Sequence, residues 1–184
     1  MAIITCPSGC TTALPAVKFD KCAPKVNLSE IERIYVAKPT AAAFADWELA
    51  TEWTTRISET DSTGDDAIRP LTVIGDKPAP ANVIKEISNG RRLPVRKDHT
   101  LNVTIDDVSD ENYEFMRTLE CGGQVKIWYE TAGGYLYGGN EGIDATMVLD
   151  DVLNRGRDEI ETLTGTITWS AKFHPERTLS AIAV

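Results

Sequence analysis

The sequence predicts a mainly β fold with one flanking α-helix, behind an irregular N-terminal arm. Three observations predict it. Leu163, Gly165, Ile167, Trp169, Ala171 and Phe173 alternate with Thr164, Thr166, Thr168, Ser170 and Lys172. That period of two belongs to a strand with one buried face. His99 to Ile105 repeats it, with Leu101, Val103 and Ile105 set against Thr100, Asn102 and Thr104. Between them lies one amphipathic helical stretch, followed by Gly122 and Gly123.

A chain of 184 residues suits a single core with no need of disulfide or metal support. It divides into an extended arm, residues 1–27, and one β-rich assembly domain, residues 28–184. The arm holds Cys6, Cys10 and Cys22 among Pro7, Pro15 and Pro24, a proline density that defeats a regular helix or central strand. The cysteine spacing is not that of a standard zinc pair, and a site would need Cys121, His99 or His174 as fourth ligand. Reduced thiols are the expectation, zinc the alternative.

Ile31–Ala37 reads as a strand. Asp46 is placed to cap a short helix carrying Trp47, Leu49, Trp53 and Ile57, with the tryptophans expected as packing rather than a ligand cage. Ser58–Asp66 is acidic and aperiodic; it lacks the spacing of a calcium loop and reads as a solvated loop. Arg69–Ile74 and Ala81–Ile87 read as strands, and Asn89-Gly90 as a tight turn. Arg91, Arg92, Arg96 and Lys97 then form the one basic cluster of an acidic chain. It reads as a patch for an acidic neighbouring subunit or as a solvated face.

In the helix, Ser109 is the N-cap and Asp110 and Glu111 meet the positive end of the dipole. Val108 and Tyr113 are set as a hydrophobic staple, and Phe115, Met116 and Leu119 form the apolar stripe. Gln124–Thr131 and Tyr135–Tyr137 make a hairpin through Gly133-Gly134, and Gly142–Leu149 is a further strand. Ile160 is out of phase with Leu163, which predicts a bulge near Glu161–Thr162. Extended from Asp158 to Phe173, that segment would reach about 53 Å. Either Gly165 bends it or part of it pairs with another chain.

The net charge of -9 opposes binding to nucleic-acid phosphates. No apolar run reaches the length of a transmembrane helix, and the first residues lack the pattern of a secretory signal, so a cytoplasmic chain with no membrane partner is expected. There is no G-x-S-x-G, P-loop, H-E-x-x-H or G-x-G-x-x-G. His99 and His174 have no partner at a diagnostic spacing, and the carboxylate pairs Asp106/Asp107, Asp150/Asp151 and Glu159/Glu161 sit at turns or on a polar strand face. The expectation is a non-enzymatic protein with no cofactor and no metal. A long strand, an arm and a polar loop without a site are features of a self-assembling subunit.

Thr100–Ile105, the helix at Glu111–Leu119 and the run Gly165–Phe173 together resemble the tail tube (major tail) proteins of tailed bacteriophages, over roughly the last half of the chain at the level of pattern. The resemblance implies an antiparallel β-sandwich or half-barrel flanked by a helix, assembled as stacked hexameric rings around a DNA conduit, with sheets of neighbouring subunits forming a continuous inner barrel. It implies other tail proteins as partners, DNA passing without specific binding, and a place in the virion tail after assembly in the host cytoplasm. Either Thr100, Asn102 and Thr104 or Thr164, Thr166 and Thr168 would then line the lumen. Arg91, Arg92, Cys6, Cys10 and Cys22 would lie between subunits. The cysteine-bearing arm is outside the family's general pattern. The alternative is a non-catalytic carbohydrate- or ligand-binding sandwich using Trp128, Tyr135 and Tyr137, against which stands simple cross-strand aromatic pairing.

Overall fold

The computed structural model describes residues 17, 20–58, 64–156 and 158–182. In chain order they form β1 (Ile31–Ala37), α1 (Ala50–Ile57), β2 (Ile68–Asp76), β3 (Ala81–Ile87), β4 (Arg91–Ile105), α2 (Asp110–Leu119), β5 (Gln124–Thr131), β6 (Tyr135–Tyr137), β7 (Ile143–Val152), β8 (Thr162–Ala171) and β9 (Arg177–Leu179). β1 pairs with β2 along one edge and with β5 along the other. The sheet therefore closes on itself in the order β1, β2, β4, β8, β7, β5, an antiparallel barrel of six strands. The expected mainly β, antiparallel character is present. The sheet is a closed barrel rather than a sandwich or half-barrel, and two helices rather than one flank it.

β1 explains the closure. Ile34 and Val36 point into the barrel while Tyr35 and Ala37 on the opposite face are also buried. A strand apolar on both faces is covered on both, and full pairing leaves it no open edge. Inside the barrel, Leu101, Val103, Ile105, Leu163, Ile167 and Met147 meet Ile34, Val36, Ile127 and Tyr129. Outside β1 and β5, Phe44, Trp47, Trp53, Trp128 and Leu136 form a second apolar cluster. Arg56 of α1 ties this layer down, donating to the carbonyls of Ala42 and Ala43 at 2.7 and 2.9 Å and lying 4.0 Å over the Phe44 ring. The seam of β1 and β5 carries one buried carboxylate, Glu130, which accepts from the Tyr35 hydroxyl at 2.9 Å and faces Arg33 at 3.7 Å.

α1 starts at Ala50 because the Asp46 carboxylate instead accepts the Glu48 N–H, closing a turn, the usual local competition of an Asp side chain with helix. α2 buries Met116, with Val108, Phe115 and Leu119 packed beside it on the barrel core. Ser109 is at the N-cap without a side-chain cap bond; the Asp107 carboxylate accepts the Ser109 N–H, and Tyr113, expected to staple against Val108, is exposed.

The last strand corrects the sequence reading. β8 begins at Thr162, and Ile160 is exposed in the loop before it, so the phase change is a strand boundary rather than a bulge. β8 pairs on both sides within its own chain, from Lys97 to Ile105 of β4 and from Thr146 to Val152 of β7. Gly165 serves close approach: a Cβ there would overlap the Val148 carbonyl and press on Leu149. Gly165→Ala is expected to cost about 1–3 kcal/mol by overpacking, read by urea denaturation. Thr166→Ala, next to it on the exposed face, is expected to change stability by under about 0.5 kcal/mol. Equal small effects would show that the strands yield at Gly165.

Candidate functional site

With the barrel's apolar side turned inward, the alternating polar residues form its outer wall. Register places Thr100 opposite Thr168, Asn102 opposite Thr166 and Thr104 opposite Thr164. All six residues expected as one or other face therefore lie on a single continuous patch. β7 extends it, with Thr146 opposite Thr168 and Val148 opposite Thr166. Hydrogen bonds fix the patch: Asn102 Nδ2 donates to both Asp76 carboxylate oxygens at 3.2 and 3.3 Å, and Gln124 Nε2 donates to Thr146 Oγ1 at 2.9 Å. Chemically this is a wall of hydroxyls and amides edged by carboxylates, with Asp76 opposite Asn102 and Asp150 opposite Thr164.

A second surface is a projection. β3 pairs with β4 alone, from Ala81 opposite Asp98 to Ile87 opposite Arg91. β8 joins β4 only from Lys97 onward. Residues 91–96 thus leave the barrel with β3 as a two-stranded hairpin, turned by Asn89 at φ 66° and Gly90 at φ 69°. Arg91 and Arg92 stand at its tip, the latter opposite Glu86. Ile84, Ile87, Leu93 and Val95 are all exposed on it, between 38% and 54%. A lone two-stranded hairpin is marginal in water and offers open ladder edges.

A third feature lies at the barrel mouth, where β6 pairs with β5 through Tyr129 and Tyr137. A cleft of about 460 Å³ is lined there by Ile31, Lys77, Tyr129, Tyr137, His174 and Arg177, among others. The two tyrosine rings stack at 4.8 Å. Beside the cleft, His99 is buried and stacks on Trp169 at 4.9 Å, with the His174 ring edge-on at 5.7 Å. Lys97 Nζ donates to His174 Nε2 at 2.9 Å. Neither His99 nitrogen, nor Trp169 Nε1, has a hydrogen-bond partner among the described residues. Burial, then the positive charge of Lys77 and the neighbouring His174 and Lys97, push the His99 pKa down to about 4, with Asp98 opposing. Burial and Lys97 also lower Lys77.

The aromatic platform suggested by Trp128, Tyr135 and Tyr137 is not assembled. Trp128 is fully buried, donating from Nε1 to the Gly139 carbonyl at 2.8 Å, and Tyr137 stacks on Tyr129. Trp47 and Trp53 are buried beside it, as packing. Of the expected inter-subunit cysteines, Cys6 and Cys10 lie outside the described residues, and Cys22 is exposed with a free thiol. Among the described residues no three His, Cys, Asp or Glu side chains are grouped to hold a metal, and no helix is long and apolar enough to cross a membrane. The histidine cluster went unread in the sequence, although one signal is there: His99 shares the inward phase of Leu101 and Val103. Comparison with protein-family models finds no match, and comparison with curated proteins finds none either.

His99 sets a pH dependence. An unfolded histidine takes up its proton near 6.5, while the folded side chain refuses it until about 4. The unfolded state then binds more protons in this window, so stability rises with pH from about 4 to 6.5 and falls on acidification, by at most about 1.4 kcal/mol per pH unit. His99→Phe is expected to flatten the stability profile between these limits in urea titrations at several pH values. Parallel profiles for the two proteins would remove His99 as the source.

Proposed function

We propose that the chain is a structural, non-catalytic subunit that assembles with copies of itself into stacked rings, after the manner of the tail tube proteins of tailed bacteriophages. The observation that carries this reading is the projecting hairpin. It exposes Ile84, Ile87, Leu93 and Val95, and among the described residues no element covers it. Apolar side chains on an open two-stranded ladder gain most from a partner that pairs its edge and buries its surface. The basic tip at Arg91 and Arg92, in a chain of net charge -9, favours an acidic partner, and another copy is one. The threonine and asparagine wall supports the conduit part of the proposal. A surface of hydroxyls on an acidic protein lets a polyanion pass without holding it, since like charges repel and no cation row engages the phosphates. Such a ring subunit would be part of a virion tail, with other tail proteins at the ends of the tube. The ligand-binding alternative is weakened by the burial of Trp128.

Negative-stain electron microscopy of the purified protein at rising concentration tests the proposal. Stacked rings or tubes with a central channel are expected, and Ile84→Asp/Leu93→Asp is expected to raise the concentration needed at least about tenfold with thermal stability unchanged. Assembly of the variant at the wild-type concentration would take the hairpin out of the interface. Wild-type protein that stays monomeric throughout would contradict the reading.

A further inference from the structure

We infer that the cleft at the barrel mouth is a binding site for a phosphate group, either free or carried by a small aromatic ester, with Lys77, Arg177 and His174 as its anion-holding groups. This stands apart from ring assembly and rests on different residues. The chain has 28 acidic against 19 basic residues, yet none of the ten residues lining this cleft is Asp or Glu, while Lys77, Arg177 and His174 all line it. Such a bias is the reverse of what composition supplies. Among the described residues these cations have no carboxylate partner; Arg177 lies 4.6 Å over the Tyr135 ring and Lys77 5.9 Å over that of Trp169. Among the described residues the ion pairs are Arg33–Glu130, Lys38–Asp65 and Arg96–Asp98, and none involves Lys77, Lys97 or Arg177. The carboxylate that bears on the neighbouring His99, Asp98, is already engaged by Arg96 at 3.1 Å and by the Ser170 hydroxyl at 2.6 Å.

The cations instead crowd one another. Lys97 and Lys77 both disfavour the charged form of His174, and Lys97 that of Lys77. Like charges gathered in a concave, partly desolvated site with no carboxylate in its lining are what a multivalent anion stabilises; Glu30 and Asp76 line the adjoining cleft, which shares Lys77. Lys97 donates to His174 Nε2, which leaves Nδ1 as the site of that imidazole's own proton when it is neutral. Ser29 and Asn27 add a hydroxyl and an amide donor to the lining, so an oxyanion with three acceptor oxygens has more partners there than a carboxylate. Tyr137, half-buried and stacked on the buried Tyr129, supplies an aromatic surface beside the cations, which fits an aromatic ester. Beneath the cluster, Trp169 Nε1 and the His99 nitrogens, unpartnered among the described residues, are buried polar atoms that a change of charge in the cleft would reach.

Inorganic phosphate and phenyl phosphate are the probes, titrated into the full-length protein at constant ionic strength. Binding is followed by calorimetry and by the indole N–H resonance of Trp169. Both are expected to bind with Kd on the order of 1 mM or tighter and phenyl phosphate more tightly. Lys77→Gln/Arg177→Gln is expected to weaken both at least about tenfold, while Arg91→Gln/Arg92→Gln at the hairpin tip, an equal loss of charge, leaves them unchanged. No binding of either probe, or equal loss in the two double variants, would overturn the proposal. Loss in the Lys77/Arg177 variant with equal affinity for the two probes would overturn its aromatic part.

Discussion

Pairing of β1 along both edges is the constraint on which the rest of the structure depends. It joins β2 to β5 and turns what would be an open sheet into a closed barrel. Closure seals the apolar face, so Leu101, Val103, Leu163 and Ile167 have one interior in common. It also commits the alternating polar residues to the outside. The second cluster, around Trp53 and Trp128, follows from the same strand, because the outward Tyr35 and Ala37 need cover of their own. Glu130 marks the seam: a buried carboxylate is tolerated there because Tyr35 and Arg33 both serve it, and burial and that carboxylate together raise the Tyr35 hydroxyl's pKa.

Closure also accounts for the projection. A barrel has a fixed height, and β4 with 15 residues exceeds what β8 pairs, Lys97 to Ile105. The surplus has no neighbour in the ring and leaves with β3. The molecule thus separates its tasks. The interior holds the fold, the outer wall offers polar contact, and the hairpin presents apolar surface and open backbone edges.

Much of this was legible in the sequence wherever the signal is local. The alternation at Thr164, Thr166 and Thr168 and at Thr100, Asn102 and Thr104 gave the right faces, since phase alone decides which side of a strand is buried. The stripe of Met116 and its neighbours gave α2. The tryptophans read as packing are packing. Closure was not legible, because which strand β1 meets on its second edge depends on residues far along the chain. For the same reason the strand Ala81–Ile87 and the turn at Asn89-Gly90 were visible, but not that the basic run from Arg91 is the first part of β4 or that the two leave the barrel as a hairpin. The length assigned to the final strand belonged to β4; polar residues before Thr162 carry no pattern that separates a loop from an exposed strand. The cleft unites Lys77, His99, His174 and Arg177 from separate segments, and only the inward phase of His99 announced it.

Hydrogen–deuterium exchange across residues 81–96, measured as a function of protein concentration, tests most directly the claim that the hairpin is an assembly element. In dilute protein its amides are expected to exchange far faster than those of β8, because local opening of an unsupported ladder is easy. As concentration rises through assembly, protection is expected to grow on the hairpin while the barrel strands stay as they were. Hairpin amides equally protected in dilute and concentrated protein, or unprotected in assembled rings, would contradict the claim.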